Sequence, residues 1–156
     1  MPLQTQAAAL IRANLEQIAA GQKASLVEIG SLTQQQLADI NQHRAVRGPN
    51  PICTEVVFIG RHIYQSRTEK DGYTIDDVIE QISNAMRSNS LVLDTIKMTA
   101  MENPNLRADR YGNKVKDRAG FECAARHPRP ELFSVIPKGD WIKLPKKKGH
   151  SSGNGP

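Results

Sequence analysis

Between Phe58 and Arg67 the chain reads Phe-Ile-Gly-Arg-His-Ile-Tyr-Gln-Ser-Arg, which gathers Arg61, His62, Ser66 and Arg67 in one short window. An imidazole gives or takes a proton near neutrality. A guanidinium grips a phosphate with two parallel N–H donors. Cleaving RNA without a metal needs a base for the 2′-hydroxyl, an acid for the leaving 5′-oxygen and cations for the charge growing on the phosphate. His62, Arg61, Arg67, Glu122, Arg126, His127, Ser134 and Lys138 are of the right types. Each also has a plainer role open to it. His62 can sit on a solvated surface, and His127 lies in a proline-rich loop. Arg61 and Arg67 have Glu69 and Asp71 within reach, Glu122 can offset its basic neighbours, and Ser134 can be a small buried residue.

The elements that must hold these groups are readable in part. Residues 4–20 are alanine-rich, with Ile11, Leu15 and Ile18 at helical spacing and Gly21 as a stop. Leu26 to Ile29 reads as a short strand. Thr33 and Gln36 fit a capping box for a helix running to about Arg44 with Leu37 and Ile40 inward, ended by Gly48-Pro-Asn-Pro51. Cys53 to Ile59 is extended, and residues 61–67 fit either a helix or a loop. Thr74 caps the best-formed helix, with Asp76 and Asp77 in its first turn and Ile75, Val78, Ile79, Ile82 and Met86 on one face. Strands are expected over 91–101, from Leu106, from Lys114 on through 120–126, and over 131–136, with turns at 103–105 and 111–113 and Pro137 as the end. Helices first and about four antiparallel strands afterwards give an α+β domain, N-terminal helices packed on a four-stranded antiparallel meander. The expected divisions are a helical region over 1–50, a nuclease-like core over 51–142 and a basic, Gly/Ser-rich disordered tail over 143–156.

Composition narrows the classes. The chain of 156 residues is 38% hydrophobic and 4% aromatic, so its core must rest on aliphatic residues, and base stacking on an aromatic platform is not expected. No apolar run reaches the roughly 18 residues of a membrane span, and no signal peptide is expected. Cys53 and Cys123 lack a CxxC spacing and read as reduced thiols. No metal-ligand spacing is present, and no metal or cofactor is expected. The net charge is +5, distributed as +7 from Pro104 onward and −2 before it. Such asymmetry suits a polyanion-facing surface or, equally, a soluble basic face with a loose tail.

Three pieces in order carry a resemblance: Gly60-Arg-His-Ile63 with Ser66-Arg67; the helix from Thr74; and the meander with Asp109-Arg-Tyr-Gly-Asn113 as its turn and Phe133-Ser-Val-Ile-Pro-Lys-Gly139 as its closing strand. Over about half its length the chain resembles a phage- or prophage-associated member of the barnase–EndoU–colicin–RelE superfamily of small ribonucleases. The resemblance implies an active face with His62 and Arg67 from the helical side and Ser134 and Lys138 from the last strand. It also implies activity without metal. The first 50 residues lie outside it and raise docking to an immunity or phage protein.

The expected function is therefore a toxin-like, metal-independent endoribonuclease leaving a 2′,3′-cyclic phosphate, with RNA, tRNA included, as substrate. It would act in the host cytoplasm, with no membrane partner. Arg61 and Arg67 would hold the scissile phosphate, and Arg107, Arg110, Lys116, Arg118 and Arg126 would bind the RNA backbone. The alternative is a non-enzymatic basic phage accessory or virion protein, or an inhibitor, that binds nucleic acid or a protein partner. A degenerate nuclease fold kept as an interaction module is a third reading.

Overall fold

The computed structural model describes residues 3–43, 50–87, 91–94, 99–124 and 128–139. Arg44, Arg126, His127 and the tail over 143–156 lie outside them, as does the stretch 95–98 of the expected strand over 91–101. The order is α1 (Ala7–Ala19), β1 (Val27–Ser31), α2 (Gln34–His43), β2 (Glu55–Phe58), α3 (Arg61–Ile63), α4 (Ile75–Ala85), β3 (Leu91–Asp94), β4 (Thr99–Glu102), β5 (Arg107–Ala108), β6 (Lys114–Cys123) and β7 (Pro130–Gly139). Between α3 and α4 the chain continues as a π-helix, Tyr64–Lys70.

Local chemistry explains the helices. Thr33 Oγ1 accepts from the Gln36 N–H at 3.0 Å, and Gln36 Oε1 accepts from the Thr33 N–H at 2.9 Å, so the expected capping box opens α2. A second box opens α4: Thr74 Oγ1 accepts from the Asp77 N–H, and the Asp77 carboxylate accepts from the Thr74 N–H. Leu37 and Ile40 of α2 are buried, as are Val78, Ile79, Ile82 and Met86 on or at the end of α4. Gly60 turns the chain from β2 into α3 in the left-handed region, at φ 68°. A Cβ there would lie 2.8 Å from Asn14 Oδ1 and 2.9 Å from both Leu15 and the Phe58 ring.

The molecule is α+β, but the sheet is not the expected four-stranded antiparallel meander. It has seven strands in the order β1-β2-β7-β6-β4-β3, with β5 paired to β6. β2 runs parallel to β7, meeting it at Val57↔Glu131, and the other pairs are antiparallel. The reason is non-local. β1 and β2 come from the N-terminal half, and a parallel pairing between strands over 70 residues apart has no turn to announce it. The expected return strand from Lys114 is β6, continuous to Cys123. One further correction follows from pairing. Pro137 does not end β7 but lies within it, opposite Asp117. Its missing N–H is tolerated because β7 has a single paired neighbour at this level among the described residues.

α4 packs on β6 and β7, α1 packs on α4 and β1, and α2 lies against β3 and β4. One buried cluster includes Ile11, Leu15, Ile29, Phe58, Val78, Ile82, Phe121 and Leu132, so α1 and β1 share a core with the later strands. Side chains alternate along a strand, and register assigns the two faces of β6 and β7. Val115, Asp117, Ala119 and Phe121 face the helices with Pro137, Val135 and Leu132. Lys116, Arg118, Gly120 and Glu122 face the other way with Lys138, Ile136, Ser134 and Glu131. The shift between Gly120 and Phe121 leaves Phe133 as an extra residue, a β-bulge, turned away from the core residue Leu132.

Candidate functional site

His62 is exposed on α3. Its ring stacks on Phe133 with 4.6 Å between centroids and 10° between planes. That contact ties the imidazole to the outward face of β7, at the bulge. The elements responsible are Gly60, which permits the sharp exit from β2, and Ile63, which is buried beside His62 and anchors α3 in the core.

The same face carries Lys116 and Lys138 directly opposite each other. Like charges in that position destabilise a strand pair, and neither lysine has an ion pair among the described residues. Lys138 lies five residues along β7 from Phe133, roughly 17 Å at the usual strand rise. Arg118 lies between them, holding Glu102 at 2.9 Å. Ser134 also faces this side, but it is only 5% exposed and is already engaged, so it is not an open nucleophile. Arg61 is exposed, with no ion pair among the described residues.

Three expected site residues sit elsewhere and are occupied. Arg107 holds the fully buried Asp117 with Nε at 2.5 Å and Nη2 at 3.0 Å. Burial pulls its pKa down, but the hydrogen bond and charge of Asp117 outweigh that and raise it. Arg110 donates to Asp77 at the α4 N-terminus at 2.5 Å. Burial pushes the Asp77 carboxyl up, yet the hydrogen bonds from Arg110 and Thr74 win and hold it below its usual range. Arg107 and Arg110 thus lie on the helix side of the sheet, away from His62, each held in an internal ion pair. Arg67 pairs with Asp71 at 2.9 Å within its own helical turn, the partnership its sequence neighbours allowed. Arg126 lies outside the described residues.

Two groups on the outward face escaped the sequence reading. Phe133 is the platform for His62. Glu131, two residues earlier on the same face, stands opposite Glu122. Burial raises the Glu131 carboxyl pKa, and the negative charge of Glu122 raises it further. The signal was present: the alternation Glu131-Leu-Phe133 in a strand puts Glu131 and Phe133 on one side. The buried hub at Asp109 is structural. It accepts from Tyr73 Oη at 2.8 Å and from the backbone N–H groups of Tyr111 and Asn113, which closes the turn before β6. Burial, reinforced by Asp109, pushes the Tyr73 pKa up and keeps that phenol protonated.

The described residues hold no His/Cys/Asp/Glu group able to take a metal ion, and no helix among them is long and apolar enough to cross a membrane. Neither Cys53 nor Cys123 is in a disulfide. No family model, curated protein or solved structure matches the chain.

Proposed function

We propose that the chain is a metal-independent endoribonuclease of toxin-like character, with RNA bound along the outward face of β6 and β7. The observation that carries this reading is the stacking of an exposed His62 on Phe133, on the face that also holds the unpaired Lys116–Lys138 pair. His62 transfers one proton. Glu131, with its raised pKa, is of the right type for the other, in place of the buried Ser134. Arg61 and the two lysines meet the backbone charge, and cleavage leaves a 2′,3′-cyclic phosphate. Incubating the purified protein with total tRNA in EDTA, beside His62→Ala, tests this. Fragments from the parent protein alone are expected, and matching fragments from both proteins would remove His62 from the chemistry.

A second reading is binding to nucleic acid or a protein partner without turnover. The engagement of Arg67, Arg107, Arg110 and Arg118 in internal ion pairs favours it, since fewer cations remain for a transition state. Expression in a bacterial host separates the two: an active ribonuclease arrests growth in a His62-dependent way, and a binder does not.

A further inference from the structure

On the helix side of the sheet, away from His62, a recess of about 360 Å³ opens between α4 and the link that leads from β4 into β5. That is at the small end of the roughly 300–1,000 Å³ typical of ligand sites. α4 supplies Glu80, Ser83 and Asn84, Arg87 follows just beyond its end, the link supplies Asn105 and Leu106, and Arg107 opens β5.

Its base is rigid. Asp117, fully buried, holds Arg107 and accepts from Asn84 Nδ2 at 2.7 Å. Asn103, also fully buried, donates to Asn84 and accepts from the Asn105 N–H at 3.0 Å. These bonds fix Asn84, Asn105 and Arg107 before any ligand arrives, which lowers the ordering cost of binding. Above them stand groups without side-chain partners among the described residues: the Ser83 hydroxyl, the Asn105 amide and the Arg87 guanidinium. Leu106 is 57% exposed, a large apolar side chain left in water at the wall. Glu80 lies at the rim, 3.6 Å from Arg107.

A ligand that satisfies this set needs a flat apolar face for Leu106, an edge mixing donors and acceptors for Asn105, Ser83 and Glu80, and an anionic group for Arg87. A nucleotide has all three. We propose that this recess binds a nucleotide unit, base inward and phosphate on Arg87, as a site separate from the His62 face. A plain anion would leave Leu106 and the amides unused and would meet the Glu80 carboxylate. A neutral base would leave Arg87 unused.

The test is to titrate the full chain, labelled with ¹⁵N, with the four ribonucleoside 5′-monophosphates, and separately with inorganic phosphate and with unphosphorylated nucleosides. Amide shifts at Ser83, Asn84, Asn105 and Leu106 are expected with at least one monophosphate, and markedly weaker ones with phosphate or nucleoside alone. Arg87→Ala and Asn105→Ala change surface groups outside the buried network, and each should weaken the site about tenfold or more, while Arg87→Lys recovers part of the loss. No shift at the recess at millimolar nucleotide overturns the proposal, as does equal binding by Arg87→Ala. Equal response to inorganic phosphate also overturns it, by reducing the recess to an anion site. The outcome is independent of ribonuclease activity: His62→Ala should keep these shifts even as it loses cleavage.

Discussion

A carboxyl and a guanidinium show how burial decides the role of single residues here. Asp117 is wholly enclosed and holds Arg107 with two hydrogen bonds. Removing one partner of a buried pair strands the other charge without water, at a cost of about 3–5 kcal/mol. Arg107→Ala is therefore expected to shift the urea midpoint strongly downward, and a shift within error of zero would mean that Asp117 finds other partners. Glu131 behaves in the opposite sense. Its folded pKa is raised by burial and by Glu122, so folding favours its protonated form. That stabilisation is complete below its unfolded pKa, near 4.3 for a glutamate, and is lost as pH rises through the folded value. Glu131→Gln should thus be more stable than the parent at pH 7, and the gap should close as pH falls below 4.3. Denaturant melts at several pH values read this directly.

At the scale of elements, the β2–α3 exit carries the His62 site, and α4 carries the recess on the other side of the sheet. The Thr74–Asp77 capping box makes α4 begin where it does, and Thr74→Ala should cost about 0.5–2 kcal/mol, read from thermal melts. Gly60 combines a left-handed backbone with three contacts under 3.0 Å for any added Cβ. Gly60→Ala is expected to destabilise the fold by more than about 1 kcal/mol and to displace His62 from Phe133. A stable Gly60→Ala with the stacking intact would contradict the role given to that exit.

These elements also explain what was legible in the chain. The Thr33–Gln36 capping box, the Thr74 cap and the α4 stripe were readable because their partners lie three or four residues away. The hairpin turn at 111–113 was readable for the same reason. The parallel β2–β7 contact and the ion pairs Arg110–Asp77 and Arg107–Asp117 were not, because each joins residues that meet only after the sheet has formed. The site was half visible. His62, Lys116 and Lys138 could be named from residue type, and the spatial link through Phe133 depends on a bulge that no local pattern signals. The ion pairs that engage Arg107, Arg110 and Arg118 were not named, since residue type says nothing about which partner reaches them first.

For the whole molecule, charge is divided by the sheet. The helix side consumes Arg107 and Arg110 in ion pairs, and the outward side leaves Lys116 and Lys138 opposed and unpaired. A polyanion bound there, as proposed, would relieve their mutual repulsion. Binding of single-stranded RNA should weaken with salt, with a log–log slope that becomes shallower by roughly 0.7 for each lysine replaced by alanine. An unchanged slope in a Lys116→Ala, Lys138→Ala double variant would move the RNA to another surface.

The central claim is that the imidazole on Phe133 transfers a proton during strand scission. Its most direct test is the single-turnover cleavage rate of a short single-stranded RNA in EDTA, with the new 3′ ends identified. A rate about 10²–10⁴-fold lower for His62→Ala, with 2′,3′-cyclic phosphate ends from the parent protein, is the predicted result. Equal rates for the two proteins, or no cleavage by the parent at high enzyme concentration, would contradict it.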